Sequence, residues 1–295
     1  MTTEFPAEFD ERVYRSNYLD LQNMSSPELV SHFNDFGIPE GRRGHSIVDR
    51  VAFAQLLTGR RTLEIGPFTR PLLAGPTVAY ADILSTEQLS ELAPKLGLNA
   101  ADIPKIDWVI SPGDLSSIDE VFDAVISGHV IEHQPNLVGH LQQVADLLPE
   151  GGVYFVLIPD LRYSFDHFMP ESTISEVLDA FARRVVRHDP RSLIASRLTR
   201  AHNDSIRHWS GDHGDPNVNP EFPDHDRKTR LEMALAQAIH TPETLSNEHA
   251  WFFTPHNFRT ILEDLASLSL TRFRIERLYP TLANTLEFWA ILRKV

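Results

Sequence analysis

Apolar positions along this chain follow two rhythms. Residues 153–158 (Val153, Tyr154, Phe155, Val156, Leu157, Ile158) form a near-continuous apolar run, the pattern of a strand buried on both faces. Shorter runs at 62–65, 78–81, 106–110 and 122–126 predict four earlier strands, and 270–278 and 285–292 predict two more. Between them the spacing becomes helical. Residues 47–58 (Ile47, Val48, Val51, Ala52, Phe53, Leu56, Leu57) and 135–148 (Leu137, Leu141, Val144, Leu147, Leu148) repeat apolar side chains on one helix face. Ser85 with Gln88 three residues on is helix-start chemistry, and Thr254-Pro255 opens a helix to about residue 268. Gly59 and Pro149-Glu150-Gly151-Gly152 are punctuation.

Strands alternating with helices, closed by two strands with a short connection, predict an α/β fold. It is a Rossmann-like, doubly wound, mostly parallel seven-stranded sheet with an antiparallel edge strand. Two regions stand outside the alternation. Residues 1–45 predict an N-terminal helical extension of two short helices, with Ser26 as cap and Tyr14, Tyr18, Leu29, Phe33 and Phe36 on its inner face. It is either a packed appendage or a docking or substrate-covering module. Residues 46–295 form the main domain. Within it, residues 160–250 read as an insertion after the fifth strand, with helical text at 174–187 and 227–239. The polar, Gly- and Pro-rich stretch 202–220 between them is long for a loop in a compact domain, and such loops are commonly functional. A lid that shapes acceptor choice is the expected role.

Composition narrows the function. The chain has 295 residues, 42% apolar and 23% charged, enough for one large domain with a sizeable core. The net charge of -14 argues against a nucleic-acid partner, which calls for clustered Lys and Arg. Without cysteine there is no disulfide, thiolate metal site or cysteine nucleophile. The first residues lack a signal-peptide pattern and no apolar run is long enough to span a bilayer. A cytoplasmic protein without a membrane span is expected.

Ligands of an open parallel sheet bind beyond the carboxyl ends of its strands, at the topological switch point. Those ends carry Gly66, Asp82, Asp114 and Ser127-Gly128-His129. Gly66 lets the backbone approach a ligand. Asp82, at the tip of the next strand, can accept from both ribose hydroxyls, and Asp114 can accept the exocyclic amine of adenine. The Gly-x-x-x-x-Gly-Lys pattern of triphosphate sites is absent. Gly66-Pro67-Phe68 also lacks the further glycines of a dinucleotide turn. A nucleoside with an amino-acid tail fits better.

Four segments, 63–71, 81–87, 122–133 and 148–152, together resemble class I S-adenosylmethionine-dependent methyltransferases. The resemblance covers residues 47–160 and 250–295. Phe68 departs from it, standing where the family usually has a second glycine. Residues 10–45, 158–166 and 249–255 further resemble segments found in bacterial surface-polysaccharide (glycan) biosynthesis. The first resemblance implies S-adenosylmethionine as cofactor and S-adenosylhomocysteine as product. It implies that Glu64, Gly66 and Pro67 hold the methionine end, Asp82 the ribose, and Asp114 and Leu115 the adenine, with Ser127 and His129 near the sulfonium. Two structural alternatives stand beside these roles: Glu64 paired with Arg70, and Asp114 capping the segment at Ser116.

Methyl transfer to a hydroxyl needs an in-line approach and a base for the acceptor proton. Histidine suits that task near neutral pH. Of His129, His133, His208, His213 and His249, the first choices are His249 and His129, with His133 given a structural role. Asp160, Arg162, Tyr163, His208 and His213 are the expected acceptor-binding residues. A divalent metal held by His208, Asp212, His213, Asp215, Asp224 and His225 is conceivable for such chemistry, but no ligand spacing supports it and no metal site is assigned. The leading expectation is an O-methyltransferase acting on a sugar hydroxyl of a surface glycan or its precursor, with a glycosyltransferase as a partner. The alternatives are a small-molecule methyltransferase of secondary metabolism and a catalytically silent adenosyl-binding partner domain in a glycan-assembly complex.

Overall fold

The computed structural model describes residues 4–240 and 248–295. In chain order the helices are α1 (Glu11–Asn17), α2 (Ser26–His32), α3 (Arg50–Gln55), α4 (Thr86–Leu92), α5 (Leu137–Asp146), α6 (Ile174–Ala182), α7 (Pro190–Thr199), α8 (Ser205–Trp209), α9 (Arg227–His240) and α10 (Pro255–Ser267). The strands are β1 (Thr62–Ile65), β2 (Val78–Asp82), β3 (Trp108–Val109), β4 (Ala124–Gly128), β5 (Val153–Pro159), β6 (Phe273–Tyr279) and β7 (Glu287–Lys294).

The strands form one seven-stranded sheet in the order β3-β2-β1-β4-β5-β7-β6. The pairs from β3 to β5 are parallel, and β7 runs antiparallel to both β5 and β6. The Rossmann-like sheet expected from the sequence is therefore present. Its reversed strand lies one place in from the edge, with β6 outside it. Chain order reverses at β1, which has β2 on one side and β4 on the other, placing the switch point at the β1/β4 boundary.

Strand side chains alternate between two cores. From β5, Tyr154, Val156 and Ile158 join one face with Leu141 and Val144 of α5 and Phe258 and Ile261 of α10. Val153, Phe155 and Leu157 join the other with Phe53 of α3, Phe5, Tyr279 and Trp289. Phe53 stacks on Trp289 with ring centroids 5.5 Å apart, and Phe5 meets Phe155 edge-on. Lys294, near the end of β7, is buried and donates from Nζ to the carbonyls of Ala145 and Leu148. It thus satisfies orphan acceptors at the end of α5.

The N-terminal segment has its own small core of Tyr14, Leu21, Leu29 and Phe33. Two expectations there change. The cap of α2 is Ser25, in a reciprocal box with Glu28, rather than Ser26. Phe36 is 56% exposed rather than on the inner face. A π turn over Phe33–Gly37 follows α2 and rotates Phe36 off the face that a 3.6-residue period assigns to it. Gly37 packs so closely on Tyr14 that a Cβ would lie 2.4 Å from its Oη. The segment is tied to the main sheet: Glu8 accepts from the Leu278 N–H, and Tyr279 Oη donates to the Pro6 carbonyl.

The insertion contains the expected helices as α6 and α9, and also α7 and α8, which periodicity did not reveal. Helix α7 has a clear start, with Asp189 capping and Pro190 in first position. Its apolar residues Leu193, Ile194 and Leu198 mark no single strong face. Among the described residues, no helix is long and apolar enough to cross a membrane.

Candidate active site

At the tip of β1 the chain turns through Gly66, whose φ is +68°. A Cβ there would stand 2.7 Å from Val130 Cγ2, so both conformation and space require glycine. Phe68 has φ +49°. Phe68 thus holds the left-handed backbone that glycine adopts without strain. Its N–H donates to Asp82 Oδ2 (3.1 Å), while Asp82 Oδ1 accepts from the Leu84 N–H (3.0 Å). Asp82 is 4% exposed, and burial raises its carboxyl against these bonds.

Glu64 is equally enclosed. Its carboxylate accepts from the amides of Leu72 and Leu73 (2.7 and 3.1 Å) rather than from Arg70. Burial raises its pKa to about 7, against the lowering effect of those amides. Each oxygen of Glu64 and Asp82 has one such bond and keeps acceptor capacity. A buried carboxylate raised by desolvation suits an incoming ammonium, and one at the β2 tip suits a vicinal diol. These residues therefore fit the methionine and ribose parts of S-adenosylmethionine. Pro67 lies between Gly66 and Phe68 within the turn.

Asp114 is exposed and accepts the Ser116 N–H (2.9 Å), and the Ser116 hydroxyl together with this N–H lowers its carboxyl. It therefore makes the capping bond, with its outer edge open. Leu115 is buried and its N–H donates to Gln143 Oε1 (2.7 Å), while Gln143 Nε2 reaches the Gly113 carbonyl (2.9 Å). Gln143, on α5, fastens this loop. Ser127 faces the α5 side of the sheet, where its Oγ lies 2.7 Å from Tyr154 Oη, itself 3.1 Å from His140 Nε2.

Across the switch point, Ile65 pairs with Ser127, which sets the Gly66 turn beside Gly128 and His129. His129 has φ +56° and its side chain is 33% exposed. Its Nε2 lies 2.7 Å from Glu287 Oε2, and Glu287 Oε1 accepts from Trp289 Nε1 (3.0 Å) and lies 3.6 Å from Arg50 Nε. Burial works to raise the Glu287 carboxyl, but His129, Arg50 and Trp289 hold it below its usual range. With its Nε2–H donated to Glu287, His129 presents its Nδ1 lone pair outward: a histidine oriented by a carboxylate. Glu287 was not anticipated. Its signal was a lone acid opening the apolar run 286–292.

Just past His129, a 3₁₀ turn (Ile131–His133) carries Glu132 and His133. The Glu132 carbonyl accepts the N–H groups of Ala250 and Trp251 (2.7 and 3.1 Å), bringing His249 against this turn. His249 is buried, with Nδ1 2.5 Å from Asp166 Oδ2. Burial opposes its charge, but Asp166 and Glu132 raise its pKa. His133 is lowered to about 3, mainly by burial, and burial raises Glu132. His249 is thus more enclosed than His129.

Asp160 is buried. It accepts from the Arg162 backbone and guanidinium and from Thr281 Oγ1 (2.6 Å), so it serves to aim Arg162. Tyr163 stacks on Trp209, centroids 3.9 Å apart. His208 and His213 do meet, Nδ1 to Nδ1 at 3.0 Å, and His208 Nε2 reaches the His202 carbonyl. Burial lowers His208 to about 4. Asp215, Asp224 and His225 are exposed, and Asp212 pairs with Arg207.

No family model and no curated protein matches the chain. Several solved structures resemble it loosely. The CcbJ methyltransferase from Streptomyces caelestis has 12% identity and a TM-score of 0.42 over 83% of this chain and 94% of that one. An S-adenosylmethionine-dependent methyltransferase from Clostridium acetobutylicum has 12% identity and a TM-score of 0.39 over 79% and 83%. The mitomycin 7-O-methyltransferase MmcR has 16% identity and a TM-score of 0.39 over 94% and 60%.

Proposed function

We propose that this chain is an S-adenosylmethionine-dependent methyltransferase that O-methylates a sugar hydroxyl of a surface glycan or its precursor, with His129 as general base. The observation that carries the reading is a juxtaposition at the β1/β4 switch point. The left-handed Gly66 turn, flanked by the buried carboxylates of Glu64 and Asp82, stands beside the His129–Glu287 pair.

When bound, S-adenosylmethionine supplies an activated methyl group on a sulfonium that leaves as a neutral thioether. Glu64 holds the ammonium of the methionine end, Gly66 and Pro67 shape the turn around it, and Asp82 takes the ribose hydroxyls. Asp114 and Leu115 flank the adenine. His129 Nδ1 would accept the proton of the acceptor hydroxyl, and Glu287 would stabilise the imidazolium. Arg162, aimed by Asp160, and the stacked Tyr163–Trp209 pair lie in the insertion and suit a polyhydroxylated ring.

Calorimetry with S-adenosylhomocysteine, followed by methyl transfer from labelled cofactor to nucleotide sugars and oligosaccharides, tests both halves. Micromolar binding and labelled sugar are expected. Absence of binding would end the methyltransferase reading, and binding with transfer only to non-sugar hydroxyls would end the glycan part.

A further inference from the structure

We propose that Glu132, His133 and His249 form a binding site for one divalent transition-metal ion, with Asp166 as the residue that orients His249. The first observation is Glu132 itself. It is 1% exposed, and neither carboxylate oxygen has a hydrogen-bond partner. A buried, unpaired carboxylate is among the most costly groups a fold can hold, and such groups are normally paired or coordinate metals.

The second observation is the way the two histidines face it. His133 Nδ1 lies 3.1 Å from the Glu248 carbonyl, so it carries the proton. His249 Nδ1 is held by the Asp166 carboxylate at 2.5 Å. Both rings are thereby fixed with Nε2 turned to Glu132, at 4.0 Å for His133 and 3.8 Å for His249. These separations are too long for hydrogen bonds. They are close to the spacing of about 3.4 Å between ligand atoms on one ion with bonds of about 2.1 Å. The three donor atoms lie within 4.8 Å of one another. A histidine donating its other ring nitrogen to a carboxylate or a backbone carbonyl is the usual outer shell of a metal ligand, and here both forms occur.

The scaffold is prepared. The amides of Ala250 and Trp251 bond the Glu132 carbonyl, fixing the His249 segment to the turn that carries the other two donors. Phe165 covers His249, centroids 4.7 Å apart, and Arg200 lies over Phe165 at 3.8 Å. Two imidazoles and one carboxylate suit zinc, manganese, cobalt or ferrous iron better than magnesium or calcium. Three protein donors leave coordination positions for water or hydroxyl oxygens.

The other histidine group, His167, His208 and His213, differs. His208 has both ring nitrogens engaged, Nδ1 with His213 and Nε2 with the His202 carbonyl, and the group holds no buried, unpartnered carboxylate. The site rests on side-chain geometry alone and does not depend on methyl transfer.

The test strips the full-length protein with a chelator and titrates Zn2+, Mn2+ or Co2+ without cofactor, reading stoichiometry by calorimetry and native mass spectrometry and stability by melting. One equivalent bound, with a raised Tm, is expected. Glu132→Gln should weaken binding by at least tenfold and raise the Tm of the stripped protein, an effect opposite to that of losing a purely structural contact. Asp166→Asn should weaken binding by about 10–100-fold. If Glu132→Gln folds poorly, His133→Asn, at a partly exposed position, gives the same readout. Failure of stripped wild-type protein to take up an equivalent overturns the site, as does unchanged affinity in the folded variants.

Discussion

Two sets of buried carboxylates flank the switch point, and the structure treats them in opposite ways. Glu64 and Asp82, on the β1 and β2 side, are filled with backbone amides from Leu72, Leu73, Phe68 and Leu84. Glu132, past β4, faces the Nε2 atoms of His133 and His249 and its carboxylate accepts no hydrogen bond. The first set builds the loops it sits among, so the cofactor recognition proposed for it and local folding would share the same atoms. The Glu132 carboxylate fastens no loop by a hydrogen bond. A carboxylate retained at such cost points to a ligand that is not part of the chain.

The comparison can be broken at several points. The largest expected effect is at His129, between the two sets. His129→Gln should lower kcat by about 10²–10⁴-fold, the usual worth of a general base, with S-adenosylhomocysteine affinity changed little. An equal fall in affinity would make His129 a binding residue instead. Asp82→Ala should weaken S-adenosylhomocysteine by roughly 100-fold and also destabilise the Gly66 turn by about 1–3 kcal/mol, since it strands two amides. A loss of affinity with no loss of stability would separate recognition from loop-building. On the other side, Glu132→Gln should stabilise the metal-stripped protein by about 1 kcal/mol, checked by urea unfolding.

A smaller effect follows from protonation. Glu64 has its pKa raised to about 7 from 4.5, so the folded state holds a proton that the unfolded state has released. Its contribution is complete below about pH 4.5, declines as pH rises towards 7, and is gone above that. Glu64→Gln should flatten this slope relative to wild type in unfolding curves between pH 5 and 7.5. The smallest effect concerns the turn. Phe68→Gly should be more stable than Phe68→Ala by about 1 kcal/mol, because both lose the ring and only glycine is at ease at φ +49°. Equal stabilities would show that the backbone relaxes.

Much of this was legible in the pattern of residues. A run such as 153–158 has one strand solution, and β5 ends one residue beyond it. The tips carrying Gly66, Asp82 and His129 follow from strand order alone. What was not legible depended on distant partners. Ser127 shares the parity of Val125, and alternation alone put its side chain in the core. Glu287 and Asp166 acquire meaning only when β7 and the insertion bring them to His129 and His249, across sequence separations that no local period encodes. His133 reads as structural from its place beside Glu132 at the start of a helix, and the approach of His249 to the same carboxylate comes only through the fold. Phe36 was misplaced because a π turn is invisible to a count of 3.6.

The position of β7 has a consequence for synthesis. It lies between β5 and β6, so both strands wait with open edges until the ribosome has released residues 287–294. Glu287 is the first residue of that strand and Lys294 the last, and Lys294 closes the end of α5. The His129–Glu287 pair is therefore assembled only after every other strand of the sheet has been made. A chain that lacks β7 has no carboxylate to orient His129 and leaves one edge of β5 unpaired.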